Sequence, residues 1–325
     1  MGRPTPRAVL GAVLVAVVLA VALGAAPVGA DPGKSRGRPP KLVCGELPDR
    51  DVKLNKDLVC PTGFHFGPTD ARVTIDLGGH TLVVPGDAGR CTAPGPCGAI
   101  AGAAVVRNGT VIGTLADIGE VQEVVVAGDI EVRVGFAGVP GPAQVLGSLV
   151  IDGSVRIWGS DVTIAGNVIR GGIELVSSNS AIRNLEVTRN WILQSPRAGI
   201  TVNPQPGDFP DDINGSIHHN VVWGSTGSGI VLRGGIWNIG ALTVERNLLL
   251  GNGEHGFASG TTFPGPPTVR GGPVTLVDNV ALANGGHGID AEWMDGLPGT
   301  GIVDGGGNRA LGNATPPECI GVVCS

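Results

Sequence analysis

Apolar and polar residues alternate along much of this chain in short runs, and six of these runs end at an asparagine. The runs read VTIAGN, LEVTRN, GSIHHN, LTVERN, VTLVDN and VDGGGN. Their asparagines, spaced 23 to 32 residues apart, are Asn167, Asn190, Asn220, Asn247, Asn279 and Asn308. Alternation with a period of two is typical of β-strands. The pattern therefore predicts short strands that recur in a fixed register.

The register extends beyond each asparagine. An apolar residue stands two positions after all six, and a Gly-Ile or Gly-Phe pair begins nine positions after Asn190, Asn220, Asn247 and Asn279. Three short strands per repeat, separated by turns, are typical of a coil of parallel strands in which stacked rungs bury one core. Asparagine suits a corner, because it tolerates left-handed backbone angles and its amide can bond the asparagine of the next rung. We expect these six side chains to form a structural ladder.

Composition agrees with a protein made of strands and turns. The chain has 325 residues, of which 56 are glycine, 42% are hydrophobic and only 15% are charged. This apolar content excludes a disordered chain, and the absence of a three-residue glycine period excludes collagen. Glycine at this density also excludes a helix bundle, because each interior glycine costs a helix about 1 kcal/mol relative to alanine.

Charge and the first residues bear on location and partners. The formal charge is −6, and a mildly acidic protein is a poor candidate for nucleic-acid binding. Residues 1–30 have two arginines, a long apolar run and a small-residue site before Asp31, which predicts an export signal and a secreted protein. The signal would span a membrane only if it stayed uncleaved. A basic Pro/Gly linker at 31–43 and one repeat domain at 44–325 follow.

Six cysteines remain after the predicted signal, and an even number in an exported protein indicates disulfides. Their spacing suggests three local pairs, although six cysteines allow 15 pairings and a metal site is the alternative. The suggested pairs are Cys44 with Cys60, Cys91 with Cys97, and Cys319 with Cys324. The first and last would lie near the ends of the coil, where exposed strand edges need covering.

The repeat resembles the right-handed parallel β-helix proteins, the superfold of pectate lyases, polygalacturonases and many secreted bacterial proteins. The resemblance extends over residues 44–325 and is most specific in the asparagine and Gly-Ile positions. The segments VTIDLGGHTL at 73–82 and VRNGTVIG at 106–113 resemble opening rungs of the family. Residues 115–150 lack the asparagine, and we expect the coil to continue there without it. The resemblance implies an all-β, single-stranded right-handed parallel β-helix of roughly ten rungs.

Known sites in this superfold lie on the outer face of one strand column, which the register allows us to locate. Residues expected to face outward after the Gly-Ile positions are Glu174, Thr201, Asn203, Val231, Arg233, Ala258, Asp290 and Glu292. The long turns at 204–214, 233–241 and 259–273 would form one wall of a groove. By resemblance to pectate lyases, Arg233 would be a catalytic base, with Glu174 beside it and Asp290 and Glu292 as calcium ligands.

Further residues suggest sugar binding or metal binding. Trp223 and Trp293 are candidate platforms for a sugar ring, with Asn203 as a hydrogen-bonding partner. His255 and His287 occupy equivalent positions of adjacent rungs and could hold a metal such as zinc or copper, but stacked turn residues are the more common explanation and are favoured. His218 and His219 precede a ladder asparagine, and we expect them to be structural.

The sequence predicts an extracellular, carbohydrate-associated protein. It would bind an acidic polysaccharide or cell-envelope glycan on its outward face, and would cleave it in a lyase-like, calcium-dependent reaction if it is an enzyme. Glycoside hydrolysis is disfavoured, because Asp211-Asp212 and the motif around His287 lack the other polygalacturonase residues. The alternative is a non-catalytic structural or surface-interaction module, because fold does not decide function.

Overall fold

The computed structural model describes most of the repeat region. The described residues are 42–44, 50–61, 64–65, 73–84, 99–101, 104–133, 142–177, 182–204, 213–233, 239–259, 273–291 and 301–325. The predicted export signal, nearly all of the predicted linker, and Cys91 and Cys97 lie outside them. Within the described part of the chain, no helix has the length and hydrophobicity needed to cross a bilayer.

The described residues form 31 strands, most of them short. In chain order these are Val52–Lys53 (β1), Leu58–Val59 (β2), Phe64–His65 (β3), Val73–Asp76 (β4), Thr81–Val83 (β5), Ala99–Ala101 (β6), Ala104–Ile112 (β7), Thr114–Ile118 (β8), Glu120–Ala127 (β9), Ile130–Arg133 (β10), Ala143–Leu146 (β11), Leu149–Ile151 (β12), Val155–Trp158 (β13), Val162–Ala165 (β14), Val168–Ile169 (β15), Ile173–Ser177 (β16), Ile182–Thr188 (β17), Trp191–Leu193 (β18), Ile200–Pro204 (β19), Ile213–His218 (β20), Val221–Trp223 (β21), Ile230–Leu232 (β22), Ile239–Glu245 (β23), Leu248–Leu250 (β24), Phe257–Ser259 (β25), Pro273–Val277 (β26), Val280–Leu282 (β27), Ile289–Asp290 (β28), Gly301–Gly306 (β29), Arg309–Leu311 (β30) and Cys319–Ile320 (β31).

The strands stack in three columns, and every pairing between described strands is parallel. The first column contains β1, β4, β11, β14, β17, β20, β23, β26 and β29, and the second contains β2, β5, β12, β15, β18, β21, β24, β27 and β30. The long strands β7 and β9 run through both of these columns. The third column is an 11-stranded sheet of β3, β6, β8, β10, β13, β16, β19, β22, β25, β28 and β31. The protein is therefore the all-β parallel β-helix that the sequence predicts.

The core lies inside the coil, where equivalent apolar residues of successive rungs meet. In the third column one inward file is paired strand to strand, and every member is at most 1% exposed. It contains Ile130, Val155, Ile173, Ile200, Ile230, Phe257 and Ile289. Burying one such side chain stabilises a fold by about 1.5–3 kcal/mol, so the recurring Gly-Ile positions supply much of the driving force for stacking.

The predicted asparagines form one buried file at the corner between the first and second columns. The Oδ1 of each asparagine accepts hydrogen bonds from the preceding rung. Asn220 Oδ1, for example, accepts the backbone N–H of Asn190 at 3.0 Å and the Nδ2 of Asn190 at 2.9 Å. Each also donates to a backbone carbonyl of the preceding rung, as Asn220 Nδ2 does to Val187 O at 2.8 Å. The file begins at Ser148, whose N–H donates to Asn167, and it ends at Asn308. The ladder satisfies corner groups that would otherwise be buried without partners.

The left-handed backbone at this corner does not belong to the ladder asparagines. It belongs to the residue before each of them, including Arg189, His219, Arg246 and Asp278, whose φ angles lie between 50° and 56°. The sequence expectation that the asparagine would adopt these angles is wrong for the ladder. The bend must precede the asparagine so that its side chain can point inward along the file.

A second buried ladder lies five positions after the first. Asn252 donates its N–H and its Nδ2 to Asn284 Oδ1, and Asn284 donates in the same way to Asn313. Ser225 donates its N–H to Asn252 and extends this file by one rung. Asn313 Nδ2 donates to Glu318 at 2.6 Å, so a carboxylate ends the file. This ladder was not among the sequence predictions.

Two disulfides lie near the ends of the described coil. Cys44 is bonded to Cys60 with a Cα–Cα distance of 5.2 Å, and Cys319 to Cys324 with 6.1 Å. Both pairs were among those predicted from spacing, and no described cysteine is free. Disulfides persist in oxidising compartments, which agrees with a protein outside the cytosol.

Candidate functional site

The outward face of the third column carries a polar file whose register the structure now defines. Neighbouring strands place its members opposite one another in the order Glu131, Arg156, Glu174, Thr201, Val231, Ala258, Asp290 and Ile320. The alternation of strand side chains between two faces determines which residues point outward. Charged residues lie mainly in the half of the file that begins at Glu131.

A groove of about 600 Å³ lies beside this charged half. It is bounded by three stacked turns, at 152–154, 170–172 and 194–198, which lead from the second column into the third. Arg156, Glu174 and Thr201 of the outward file also line it, together with Arg233 just after β22. The groove therefore lies where the third column begins. The long turns expected from the sequence to form a wall follow that column and fall largely outside the described residues.

Charged groups on one side of the groove neutralise one another. Arg156 Nε lies 3.1 Å from Glu174 Oε2, and its NH1 lies 3.6 Å from Glu131 Oε1. Arg170 lies 3.6 Å from Asp152. These contacts place guanidinium and carboxylate groups at fixed positions, where their remaining hydrogen-bonding capacity faces the groove.

Two arginines at the other end of the groove have no such partner among the residues that the structure describes. Within the described part of the chain, neither Arg197 nor Arg233 forms an ion pair, and both are exposed. Both also line an adjoining hollow of about 220 Å³ with Ser228 and Glu254. Ser228 Oγ donates to Glu254 at 3.1 Å. A pair of guanidinium groups without carboxylate partners is suited to bind an external carboxylate.

The other predicted site residues lie in different places. Arg233 and Glu174 line the same groove, whereas Asp290 lies four strands beyond Glu174, about 19 Å away by strand spacing. Asn203 is partly buried on β19, outside the groove lining. Trp223 belongs to the second column, between Leu193 and Leu250. Glu292 and Trp293 lie outside the described residues.

The rings of His255 and His287 stack as the register predicts. Their centroids are 5.4 Å apart and their planes differ by 14°. His255 Nδ1 accepts the N–H of His287, and His287 Nδ1 lies 2.7 Å from the carbonyl oxygen of Pro317. Backbone groups thus occupy one nitrogen of each ring, which favours the structural interpretation of this pair over a metal site.

The outward face of the second column is mostly apolar in its later rungs, up to the exposed Arg309 opposite Val280. Its partly exposed side chains form two adjacent files, of which one contains Val221, Leu248 and Val280 and the other contains Trp223, Leu250, Leu282 and Leu311. Leu311 is 72% exposed at the end of its file. A contiguous apolar surface of this kind is a candidate for interaction with another molecule.

Arg197 and the turn residues around it are functional candidates that the sequence analysis missed. A signal was present, because the turns at 152–154 and 170–172 repeat a basic or acidic residue beside glycine. Their convergence depends on the stacking of rungs of unequal length, which the asparagine register alone did not provide.

No protein-family model matches this chain, and neither a characterised protein nor a solved structure matches it significantly.

Proposed function

We propose that this is an extracellular, carbohydrate-associated β-helix protein that binds an acidic polysaccharide in the groove at the start of the third column. The observation that supports this function is the pair Arg197 and Arg233, which lines a groove of about 600 Å³ with no ion-pair partner in the described chain. A uronate carboxylate would supply the missing anion, with charge-assisted hydrogen bonds worth about 1.5–3 kcal/mol each.

The rest of the groove suits the hydroxyl groups of a sugar. Arg156 and Glu174 are held by their mutual ion pair, so they present donors and acceptors in fixed positions. Thr201 is 8% exposed at the base of the same surface. Fixed polar groups lower the entropy cost of ordering side chains when a ligand binds.

Binding is favoured over calcium-dependent cleavage. Among the described residues, the groove carboxylates do not come together as a group of three possible metal ligands. Arg233 remains the candidate base for a lyase-like reaction by resemblance to pectate lyases, with Glu174 in the same groove. We therefore propose the pectate-lyase-like kinship for the fold and glycan binding for the site.

The test is calorimetric titration with oligogalacturonates and with their methyl esters. The acidic oligomers should bind, and the double variant Arg197→Ala/Arg233→Ala should weaken binding at least tenfold, because two charge-assisted contacts are lost. Arg309→Ala, which removes an exposed arginine from the second column, is the matched control and should change nothing. Equal affinity for the methyl esters, or an unchanged double variant, would overturn the proposal.

A parallel activity assay with and without calcium, which follows the 4,5-unsaturated product, decides whether bound glycan is also cleaved. Product that disappears in Arg233→Ala would identify a lyase. Binding without product would identify a binding module.

A second candidate, a surface-interaction module, is favoured by the apolar outward face of the second column. If this face binds a partner or a second copy, Leu250→Lys/Leu282→Lys should abolish the association while leaving glycan binding intact. Sedimentation velocity of both forms tests this for self-association, and an unchanged distribution would count against it.

A further inference from the structure

His218 and His219 are consecutive, yet their side chains come together. Residues adjacent in a strand normally point to opposite faces. Here β20 ends at His218, and His219 adopts a left-handed backbone with φ of 56°. This bend turns the second ring toward the first, and the two Nδ1 atoms lie 2.9 Å apart with the ring planes at 81°.

A carboxylate from the next rung completes the cluster. Glu245 lies opposite His218 in the pairing of β20 with β23, and the backbone N–H of His219 donates to its carbonyl oxygen at 3.1 Å. One ligand atom from each of His218, His219 and Glu245 lies within 4.8 Å of the other two. The corner and the parallel register thus assemble two imidazoles and one carboxylate from two rungs.

A neighbouring carboxylate orients the first histidine. Glu186 Oε1 lies 3.6 Å from His218 Nε2, whereas the other ring nitrogen, Nδ1, faces His219. A carboxylate beside one imidazole nitrogen favours a proton there and leaves the other nitrogen as the ligand, an arrangement common around bound zinc. The Thr188 hydroxyl, 3.2 Å from His218 Nδ1, can act as a donor to that nitrogen in the free protein.

The surrounding charge leaves room for a cation. Arg189 and Arg246 occupy the corner positions on either side of His219, and Arg246 is paired with Asp278 at 3.6 Å. Glu186 and Glu245 offset the remaining positive charge. Imidazole ligands select zinc or a similar transition metal over calcium, which prefers oxygen.

We propose that His218, His219 and Glu245 bind a divalent transition metal such as Zn²⁺ on the outside of the coil. Two Zn–N bonds of about 2.0–2.1 Å at a tetrahedral angle place their nitrogens about 3.3 Å apart. The rings therefore need to open by only a few tenths of an ångström. Three protein ligands leave a fourth position for water or for a group of another molecule. This site is independent of the glycan groove.

The test is a calorimetric Zn²⁺ titration of the full chain without a histidine tag. The protein should bind Zn²⁺, and His219→Asn should weaken binding at least tenfold, since a ligand is lost while asparagine tolerates the left-handed backbone. Glu245→Gln, which leaves the corner unchanged, should also weaken it. Glu186→Gln should weaken it about 10-fold through the orientation of His218.

His287→Gln is the matched control, because it removes a histidine from the stacked pair in the turns before β25 and β28 and should leave this site intact. Circular dichroism of each variant confirms that the coil persists, and Glu245→Gln decides the matter if His219→Asn unfolds. Absence of Zn²⁺ binding in the parent, or full affinity in Glu245→Gln, would overturn the proposal. Loss of binding only in His287→Gln would place the metal at the stacked histidines instead.

Discussion

The corner between the first two columns is built in two different ways along the coil. In the later rungs it breaks the chain into two strands, and buried amides such as Asn190 and Asn220 connect one rung to the next. In two of the earlier rungs, those of β7 and β9, the chain passes through the corner as one unbroken strand, and Gly109 of β7 lies opposite Val124 of β9. The same position in the coil is therefore occupied by a polar ladder in one region and by small or apolar residues in the other.

The difference shows that the fold does not require asparagine at the corner. It requires either that the buried polar groups there have hydrogen-bond partners or that the residue is small enough for the space. A Cβ placed on Gly109 would lie 2.4 Å from the Cβ of Leu77. The rungs approach so closely there that an amide would not fit. In the later rungs the asparagine amide itself occupies this position and forms hydrogen bonds that stay buried.

The largest effect is expected in the middle of the ladder, where each amide has a neighbour on both sides. Asn220→Ala would remove the acceptor of two Asn190 donors and leave Val187 O without its side-chain partner. Each unsatisfied buried group costs about 1–3 kcal/mol, so we expect a loss of about 3–5 kcal/mol in unfolding free energy. Urea denaturation measures it.

Asn214→Ala is the control for this variant, because among the described residues its amide oxygen accepts a single hydrogen bond, from the N–H of Asn184 near the surface. It should cost less than about 1 kcal/mol. Similar losses of unfolding free energy in the two variants would mean that burial of the amide does not determine how much it contributes to stability.

The region without amides should depend more on its disulfide. Cys44 and Cys60 close a loop with a sequence separation of 16, whereas Cys319 and Cys324 are separated by 5. The chain-entropy model gives about 3 kcal/mol for the first pair and about 2 kcal/mol for the second. Thermal melting of Cys44→Ser/Cys60→Ser and Cys319→Ser/Cys324→Ser compares them. A larger shift for the second pair would contradict the comparison.

Steric closeness in the early corner gives the next prediction. Gly109→Ala should destabilise the protein by about 1–3 kcal/mol through overpacking against Leu77. Ser148→Ala, in the same file, is the matched control. It removes the Oγ that accepts the N–H of Val124 at 3.2 Å and should cost about 1 kcal/mol. If alanine at 109 is tolerated without loss, close approach is not what replaces the amide.

The same two regions also show which parts of the fold could be predicted from the sequence. The asparagine file and the outward order Glu174, Thr201, Val231 follow from a period that the sequence displays directly. Gly109 and Val124 are only 15 positions apart in the sequence, so the rung between them is short. Because this rung is short and its corner has no asparagine, the sequence shows no repeat there.

The candidate sites were less predictable, because they depend on which turns meet. Arg197 and Arg233 are 36 residues apart in the sequence and come together only because successive rungs stack. The approach of His219 to His218 depends on a left-handed φ that the sequence analysis assigned to the asparagine instead. The strand period thus predicts which side chains stack from rung to rung. The backbone angles at the corners determine which of the functional side chains meet.

The smallest effect concerns the end of the ladder, where a carboxylate takes the place of the next amide. Asp304 Oδ2 accepts the N–H of Val323 at 2.8 Å, and its Oδ1 accepts Gly306 N–H at 2.9 Å and Asn308 Nδ2 at 3.2 Å. The bond from Val323 is the main cause of the lowered pKa of Asp304. Desolvation partly opposes it, and the Gly306 and Asn308 bonds add to it.

Because its pKa is lower in the folded state, Asp304 stabilises the protein above its unfolded pKa of about 3.9, and this contribution is lost as pH falls through the folded value. Asp304 is exposed, so solvent screening limits the effect to less than about 1 kcal/mol. Asp304→Asn should therefore lower stability slightly at neutral pH, and the difference from the parent should shrink below about pH 4. Urea denaturation at several pH values checks this. A difference that stays constant with pH would show that the asparagine ladder ends without help from the charge, by hydrogen-bond geometry alone.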